Sequence, residues 1–97
     1  LPMQLPERGG ALRVYDVREG TDACRAFIPR ERRSEDTFRD LEATHRFIDF
    51  DARVGDLLVF DASRYFHRVT KVEGSRARWT MGCFLGRETK GDLVCWT

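Results

Sequence analysis

Hydrophobic and polar residues alternate along much of this chain with a period of two, the spacing that predicts β-strands with one half-buried face. In "GGALRVYDV", Leu12 and Val14 fall on one face with Asp16, while Ala11, Arg13, Tyr15 and Val17 fall on the other, which predicts a strand over residues 9–15. The same alternation returns in "THRFIDFD", in "LLVFDA", from His67 to Val72 and in "RARWTMGCFL", predicting strands over 45–50, 57–61, 66–72 and 76–85. Turns fall at "ARVGD" and at Gly74, and the tail "GDLVCWT" adds a last strand or covers an edge. Between the first strand and the others the pattern loosens, so residues 17–44 read as an insertion, a compact lid with one helix over 30–42. Ser34 suits an N-cap, Glu35 and Asp36 suit a first turn, and Phe38 and Leu41 share a face. Short strands joined by tight turns point to a mainly β fold, an antiparallel sandwich or barrel.

Composition narrows the function classes. The 97 residues suffice for a single domain, and 41% hydrophobic with 34% charged residues is the balance of a soluble globular protein. No apolar run approaches the roughly 18 residues of a membrane span, so a membrane is excluded as a partner. A net charge of +1 excludes a general polyanion binder, and nucleic acid with it. The run Arg30–Arg33 is offset by Glu31, Glu35 and Asp36 and reads as a solvated face. The opening "LPMQLPERGG" has neither a signal-peptide layout nor an initiator Met, and reads as a chain entered mid-domain. Three cysteines without C-x-x-C spacing indicate neither a disulfide framework nor a zinc knuckle. Buried small-hydrophobe status in a reducing cytoplasm is the expectation for Cys24, Cys83 and Cys95.

The chemistry-bearing residues lie late in the chain. In "RARWTMGCFL", period two places Arg76, Arg78, Thr80, Gly82 and Phe84 on one face, and Ala77, Trp79, Met81, Cys83 and Leu85 on the other. The second face is uniformly apolar and is expected to be the packed one. Two arginines alternating with a hydroxyl suit either a solvated face or a polar-lined cavity. In a cavity, a guanidinium fork holds a carboxylate bidentately, with the Thr80 hydroxyl as a further donor. His67 on its own reads as a half-buried strand histidine satisfied by a backbone carbonyl. Imidazole also suits divalent iron, and a site of two histidines and one carboxylate leaves positions open for an organic acid and O2. His67 followed by Arg-x-Thr on the next strand is half of such a site.

Three segments in this order resemble the C-terminal half of the 2-oxoglutarate/Fe(II)-dependent oxygenases, especially the prolyl-hydroxylase-like branch. "GGALRVYD" is similar to that branch's Gly-Gly-x-Leu strand, "GDLLVFDASRYFHRV" to its Gly-Asp-hydrophobic strand leading to the distal iron-binding His, and "GSRARWTMGCFL" to its Arg-x-Ser/Thr strand. The resemblance implies a double-stranded β-helix of jelly-roll or cupin-like type, here a partial barrel with one short helical insertion. It implies Fe(II) and 2-oxoglutarate as cofactors, with O2 and a small molecule as substrates. Carried over residue by residue, His67 is the distal iron ligand, and Arg78 with Thr80 binds the distal carboxylate of 2-oxoglutarate. Arg76 is the alternative arginine; Leu12 and Tyr15 are secondary candidates for lining the cosubstrate pocket, with core packing the preferred reading of Leu12.

The family's first two ligands form a His-x-Asp or His-x-Glu pair, or His-x-Gly/Ala in halogenases, upstream of the Gly-Gly strand. This sequence has no such pair, because His45 lies after that strand and is followed by Arg46 and Phe47. His45 reads as a surface histidine at a strand start. The resemblance therefore implies either the C-terminal part of an oxygenase core, residues 1–97 forming one domain, or a degenerate barrel without metal. The expected activity is hydroxylation of a small molecule such as a free amino acid, with decarboxylation of 2-oxoglutarate to succinate. A related non-haem iron halogenase is one alternative. A metal-free barrel binding a small acid through Arg76 and Arg78, or a purely structural β domain, would be non-catalytic ones.

Overall fold

One sheet and one helix enclose the core. In the computed structural model, which describes residues 1–18, 20–22 and 34–97, the elements in chain order are β1 (Pro2–Gln4), β2 (Leu12–Arg18), α1 (Glu35–Thr44), β3 (Phe47–Phe50), β4 (Tyr65–Val69), β5 (Trp79–Thr80), β6 (Phe84–Arg87) and β7 (Leu93–Trp96). The largest sheet has the antiparallel order β3-β2-β4. Its register sets Arg13 opposite Asp49 and Arg68, and Val14 opposite Ile48 and His67. Directly opposed residues share a face. One face therefore carries Arg13, Tyr15, Asp49, Phe66 and Arg68, and the other carries Leu12, Val14, Ile48, Tyr65 and His67.

Helix α1 covers the first of these faces. Ser34 caps it by accepting a 3.3 Å hydrogen bond from the Thr37 N–H, and Glu35 and Asp36 occupy the first turn, where the helix dipole favours negative charge. Leu41 packs into a cluster with Tyr15, Val17 and Phe66, and Phe38 stacks on Phe66 with ring centroids 6.2 Å apart. The helix anticipated over 30–42 thus begins at Glu35 among the described residues, and residues 30–33, with their arginine run, lie outside them.

Several expected strands are shorter or missing. Residues 57–61 form no strand, although Leu58 is less exposed than Leu57 and Val59 on either side. Alternation is preserved there, but no neighbouring strand among the described residues supplies the ladder hydrogen bonds that make a strand. Residues 76–85 hold only the two residues of β5 and the start of β6. β1 has no counterpart in the sequence reading, and it pairs with β5 through Pro2 opposite Thr80. The sheets are mainly β and antiparallel as expected, but they form no closed barrel: among the described strands only β2 is flanked on both sides, whereas closure requires that of all.

Among the described residues no layer opposes the face away from α1, where Ile48 is 58% and Val69 44% exposed. The radius of gyration, 15.2 Å, exceeds the roughly 13 Å of a compact chain of this length, consistent with an open arrangement of small sheets. The apolar face of 76–85, expected to be packed, is exposed at Trp79, Met81 and Leu85. Cys83 and Cys95, expected inside, are exposed as well, and Cys24 lies outside the described residues. Among the described residues no helix is long and apolar enough to cross a membrane.

Two adjacent glycines bring the lead-in to β2 close to the segment that follows β4. Gly9 and Gly10 have φ of +71° and +75°, a region L-residues rarely adopt. A Cβ at Gly9 would overlap the Lys71 carbonyl oxygen, which is backbone and cannot step aside. Gly9→Ala should therefore cost about 3 kcal/mol or more, from left-handed strain and overlap together. Gly55→Ala, at φ +89° but with open space around it, isolates the strain alone and should cost less. Urea unfolding midpoints of the two variants separate these contributions.

Candidate functional site

His67 sits half-buried on the sheet face opposite α1, between Val14 on the neighbouring strand and the side chain of Phe60. Its Nδ1 lies 3.0 Å from the Tyr65 carbonyl oxygen. A carbonyl only accepts, so Nδ1 carries the proton, and in the neutral ring Nε2 carries the lone pair. No hydrogen bond among the described residues engages Nε2. Phe60 meets the imidazole edge-on, with centroids 5.2 Å apart and planes at 82°. A backbone carbonyl on one ring nitrogen is the arrangement that fixes a histidine's tautomer and orientation for metal binding through the other. The expected backbone-satisfied histidine and the expected ligand are thus compatible in one geometry.

A cleft of about 720 Å³ opens next to Val14, the cross-strand neighbour of His67, and is lined by Val14, Tyr15, Asp16, His45, Arg46, Phe47, Ile48 and Tyr65. His67 itself is not among the lining residues. His45 closes α1 as its C-cap, donating its backbone N–H to the Leu41 carbonyl at 2.9 Å, and its Nδ1 lies 2.9 Å from the Thr44 hydroxyl.

The two arginines diverge. Within 76–85 every residue is exposed except Arg78, which is half-buried. Its stem lies over Gly10, where an added Cβ would stand 2.9 Å from Arg78 Cδ, and its Nη1 donates to the Thr80 hydroxyl at 3.4 Å. Arg76 instead directs Nη2 to the Pro6 carbonyl at 3.4 Å. Arg78 thus lies against Gly10, just before β2, with Thr80 two residues along its own segment and opposite Pro2, while Arg76 stays on the lead segment. Leu12 is half-buried on the His67 face.

Tyr15 borders the cleft, but most of its side chain lies on the other side of the sheet. It points to the opposite face, only 1% exposed beneath α1, where its hydroxyl donates to Glu42 at 2.6 Å and accepts from Arg68 Nε at 2.8 Å. Alternation separates Tyr15 from Leu12 and Val14, and the structure keeps that parity.

Glu42 is the centre of a polar cluster that the sequence did not signal. Its carboxylate accepts from Tyr15, from Arg13 Nη1 at 2.8 Å and from Arg68 Nη2 at 3.0 Å, while Arg13 also grips Asp49 with two bonds of 2.6 and 2.7 Å. Burial by itself would raise the Glu42 pKa, but the donors from Tyr15, Arg13 and Arg68 more than offset it and bring it to about 2. Burial and the bond to Glu42 push the Tyr15 phenol up to about 12. With a folded value below the ordinary 4.5, the stability Glu42 contributes is complete above about pH 4.5 and is lost as pH falls toward 2. Glu42→Gln should flatten the acid limb of a melting-temperature profile over that window.

The sequence signature of the family described as carrier-protein-independent halogenase WelO5 matches residues 1–96. The chain belongs to this family. No curated protein and no solved structure matches it. WelO5-family enzymes depend on Fe(II) and 2-oxoglutarate, so the superfamily anticipated from three short motifs is the right one, and the prolyl-hydroxylase-like branch is not. The Gly-Gly strand that suggested that branch has a local physical reason here, the close passage at Lys71 and Arg78.

The WelO5-family cofactors can be set against the donors present. Among the described residues no group of three or more His, Cys, Asp or Glu side chains could hold a metal ion. His67 fits one coordination position by its open Nε2, and Arg78 with Thr80 fits a carboxylate by charge and hydrogen-bonding capacity.

Proposed function

We propose that this protein is an Fe(II)- and 2-oxoglutarate-dependent halogenase acting on a free small molecule rather than on a carrier-bound one. The family match across residues 1–96 carries this reading, and the open Nε2 of His67 beside an apolar-walled cleft supports it. His67 would be one iron ligand, and the reading requires the others to come from residues beyond those described. With 2-oxoglutarate and O2, the bound iron supplies the oxidising power that removes a hydrogen from the substrate and the halide that replaces it. The chain's own tasks are narrower. Arg78 holds the distal carboxylate of the cosubstrate with its fork, and Thr80 adds a hydroxyl. Val14, Ile48 and Tyr65 seat the substrate's apolar part and exclude water near the reacting carbon.

The test is turnover with Fe(II), 2-oxoglutarate, O2 and chloride across a panel of free small molecules, amino acids included, read by mass spectrometry. A product carrying the chlorine isotope pattern supports halogenation. A hydroxylated product alone assigns the protein to hydroxylation, and binding of 2-oxoglutarate without its consumption assigns it to metal-free acid binding.

A further inference from the structure

The cleft on β2 and β3 is apolar along its wall and charged at one end. Val14, Ile48 and Tyr65 form the wall, and Asp16 and Arg46 stand at the rim. The strand register sets both charges in place. Asp16 donates its backbone N–H to the Arg46 carbonyl at 2.8 Å, so the two residues oppose each other across the strands. Period two keeps them on the face of Val14, Ile48 and His67. Asp16 follows Val14 by two residues, about 6.6 Å along the strand, and Val14 is the residue opposite His67. The charged pair and the imidazole therefore lie on neighbouring rows of one sheet face.

The ion pair at the rim is weak. Arg46 Nη2 approaches Asp16 Oδ2 at 3.4 Å through a single contact, and the two side chains are 92% and 58% exposed. Such a pair contributes little in water. A ligand that brings an ammonium to the carboxylate and a carboxylate to the guanidinium opens it at small cost, replacing one long contact by two charge-assisted ones. In a cleft with an apolar wall, a few convergent polar groups orient the ligand. An ammonium and a carboxylate on one carbon that also bears an apolar chain is an α-amino acid.

We propose that the cleft takes free apolar α-amino acids, with Asp16 holding the ammonium, Arg46 holding the carboxylate and the side chain lying along Val14, Ile48 and Tyr65 toward His67. The assignment deepens the halogenase reading and rests on it for taking the cleft as the substrate's seat. Arg18, 5.9 Å from the centroid of the Tyr65 ring, adds positive charge at the same end. An aminoacyl group tethered to a carrier has no free carboxylate, so recognition by Arg46 favours the untethered acid, in keeping with the carrier independence of the family.

The test is calorimetric titration of the full chain with norleucine, hexanoate and pentylamine, which share an unbranched apolar chain and carry both charges, the carboxylate alone or the ammonium alone. Fe(II) and 2-oxoglutarate are present to occupy their own places, and O2 is excluded so that binding is read without turnover. Norleucine should bind about tenfold or more tightly than either analogue, the effect of one hydrogen bond to a charged group. Asp16→Asn should bring norleucine to the level of hexanoate while hexanoate binds as before, and Arg46→Gln should do the same relative to pentylamine. Equal binding of the three ligands, no binding of norleucine, or an advantage for norleucine that survives both substitutions would overturn the proposal. Turnover in air with chloride separates it from the reading beneath it. Norleucine that binds with this dependence and yields no chlorinated product keeps the amino-acid site and counts against halogenation. Chlorination confined to molecules lacking the charge pair keeps halogenation and removes the amino-acid site.

Discussion

His67→Ala should abolish iron binding and turnover while leaving the fold in place. The imidazole contributes little to folding. It makes one hydrogen bond, to a carbonyl two residues back on its own strand, and one edge contact with Phe60, itself 41% exposed. The buried cluster of Tyr15, Val17, Leu41 and Phe66 lies on the other face of the sheet. Removing a half-buried side chain outside the core should change stability by about 1 kcal/mol or less, whereas, on the proposed reading, it would remove an iron ligand with no cluster of donors among the described residues to replace it. His67→Gln should retain the fold and fail in the same way, because its amide is a much poorer donor to iron. Iron content after reconstitution and the unfolding midpoint, measured on the same preparations, separate the two roles. Full iron content in the alanine variant would return His67 to a purely structural place.

The elements read correctly from sequence are those whose causes are local. Helix α1 could be read because its cap, its acidic first turn and its apolar pair Phe38 and Leu41 all lie within eleven residues of sequence. β2 could be read for the same reason, its alternation being strong enough to separate Tyr15 from Val14. β5 and β6 could not, because alternation says which side chains share a face and says nothing about whether a neighbouring strand is present to accept hydrogen bonds. β1 was hidden by its prolines and by a partner far along the chain, Thr80.

The site divides along the same line. His67, Arg78 and Thr80 carried a recognisable order of motifs, and the fold brings Arg78 beside Thr80. Glu42 gave no signal, since Arg13, Tyr15 and Arg68 converge on it from two strands. Choosing between branches of one superfamily was beyond motifs this short, because a Gly-Gly pair before a strand answers to backbone crowding as readily as to ancestry.

Arg78→Ala should weaken 2-oxoglutarate binding on the order of a hundredfold, and Arg76→Ala should do much less. The structure distinguishes the two arginines by surroundings rather than by sequence. Arg76 directs its guanidinium to the Pro6 carbonyl, while Arg78 is the half-buried one and, among the described residues, has only the Thr80 hydroxyl at 3.4 Å as a hydrogen-bond partner. A partly desolvated guanidinium with so weak a partner favours an anion. Hydrogen bonds to charged groups contribute roughly 1.5–3 kcal/mol, and about 1.4 kcal/mol corresponds to tenfold in affinity, so losing a bidentate contact gives about a hundredfold. Arg78→Lys should recover only part of this, since an ammonium cannot offer the planar fork. Gly10→Ala disturbs the seat of the arginine without removing a charge: an added Cβ 2.9 Å from both Arg78 Cδ and Pro6 Cγ, at a φ of +75°, should shift the stem and weaken binding, with the unfolding midpoint reading the backbone strain it adds. Calorimetric titration of 2-oxoglutarate into the iron-loaded variants reads all four. A large loss at Arg76 with none at Arg78 would move the carboxylate to Arg76, and intact binding in both alanine variants would remove the anion site from this strand.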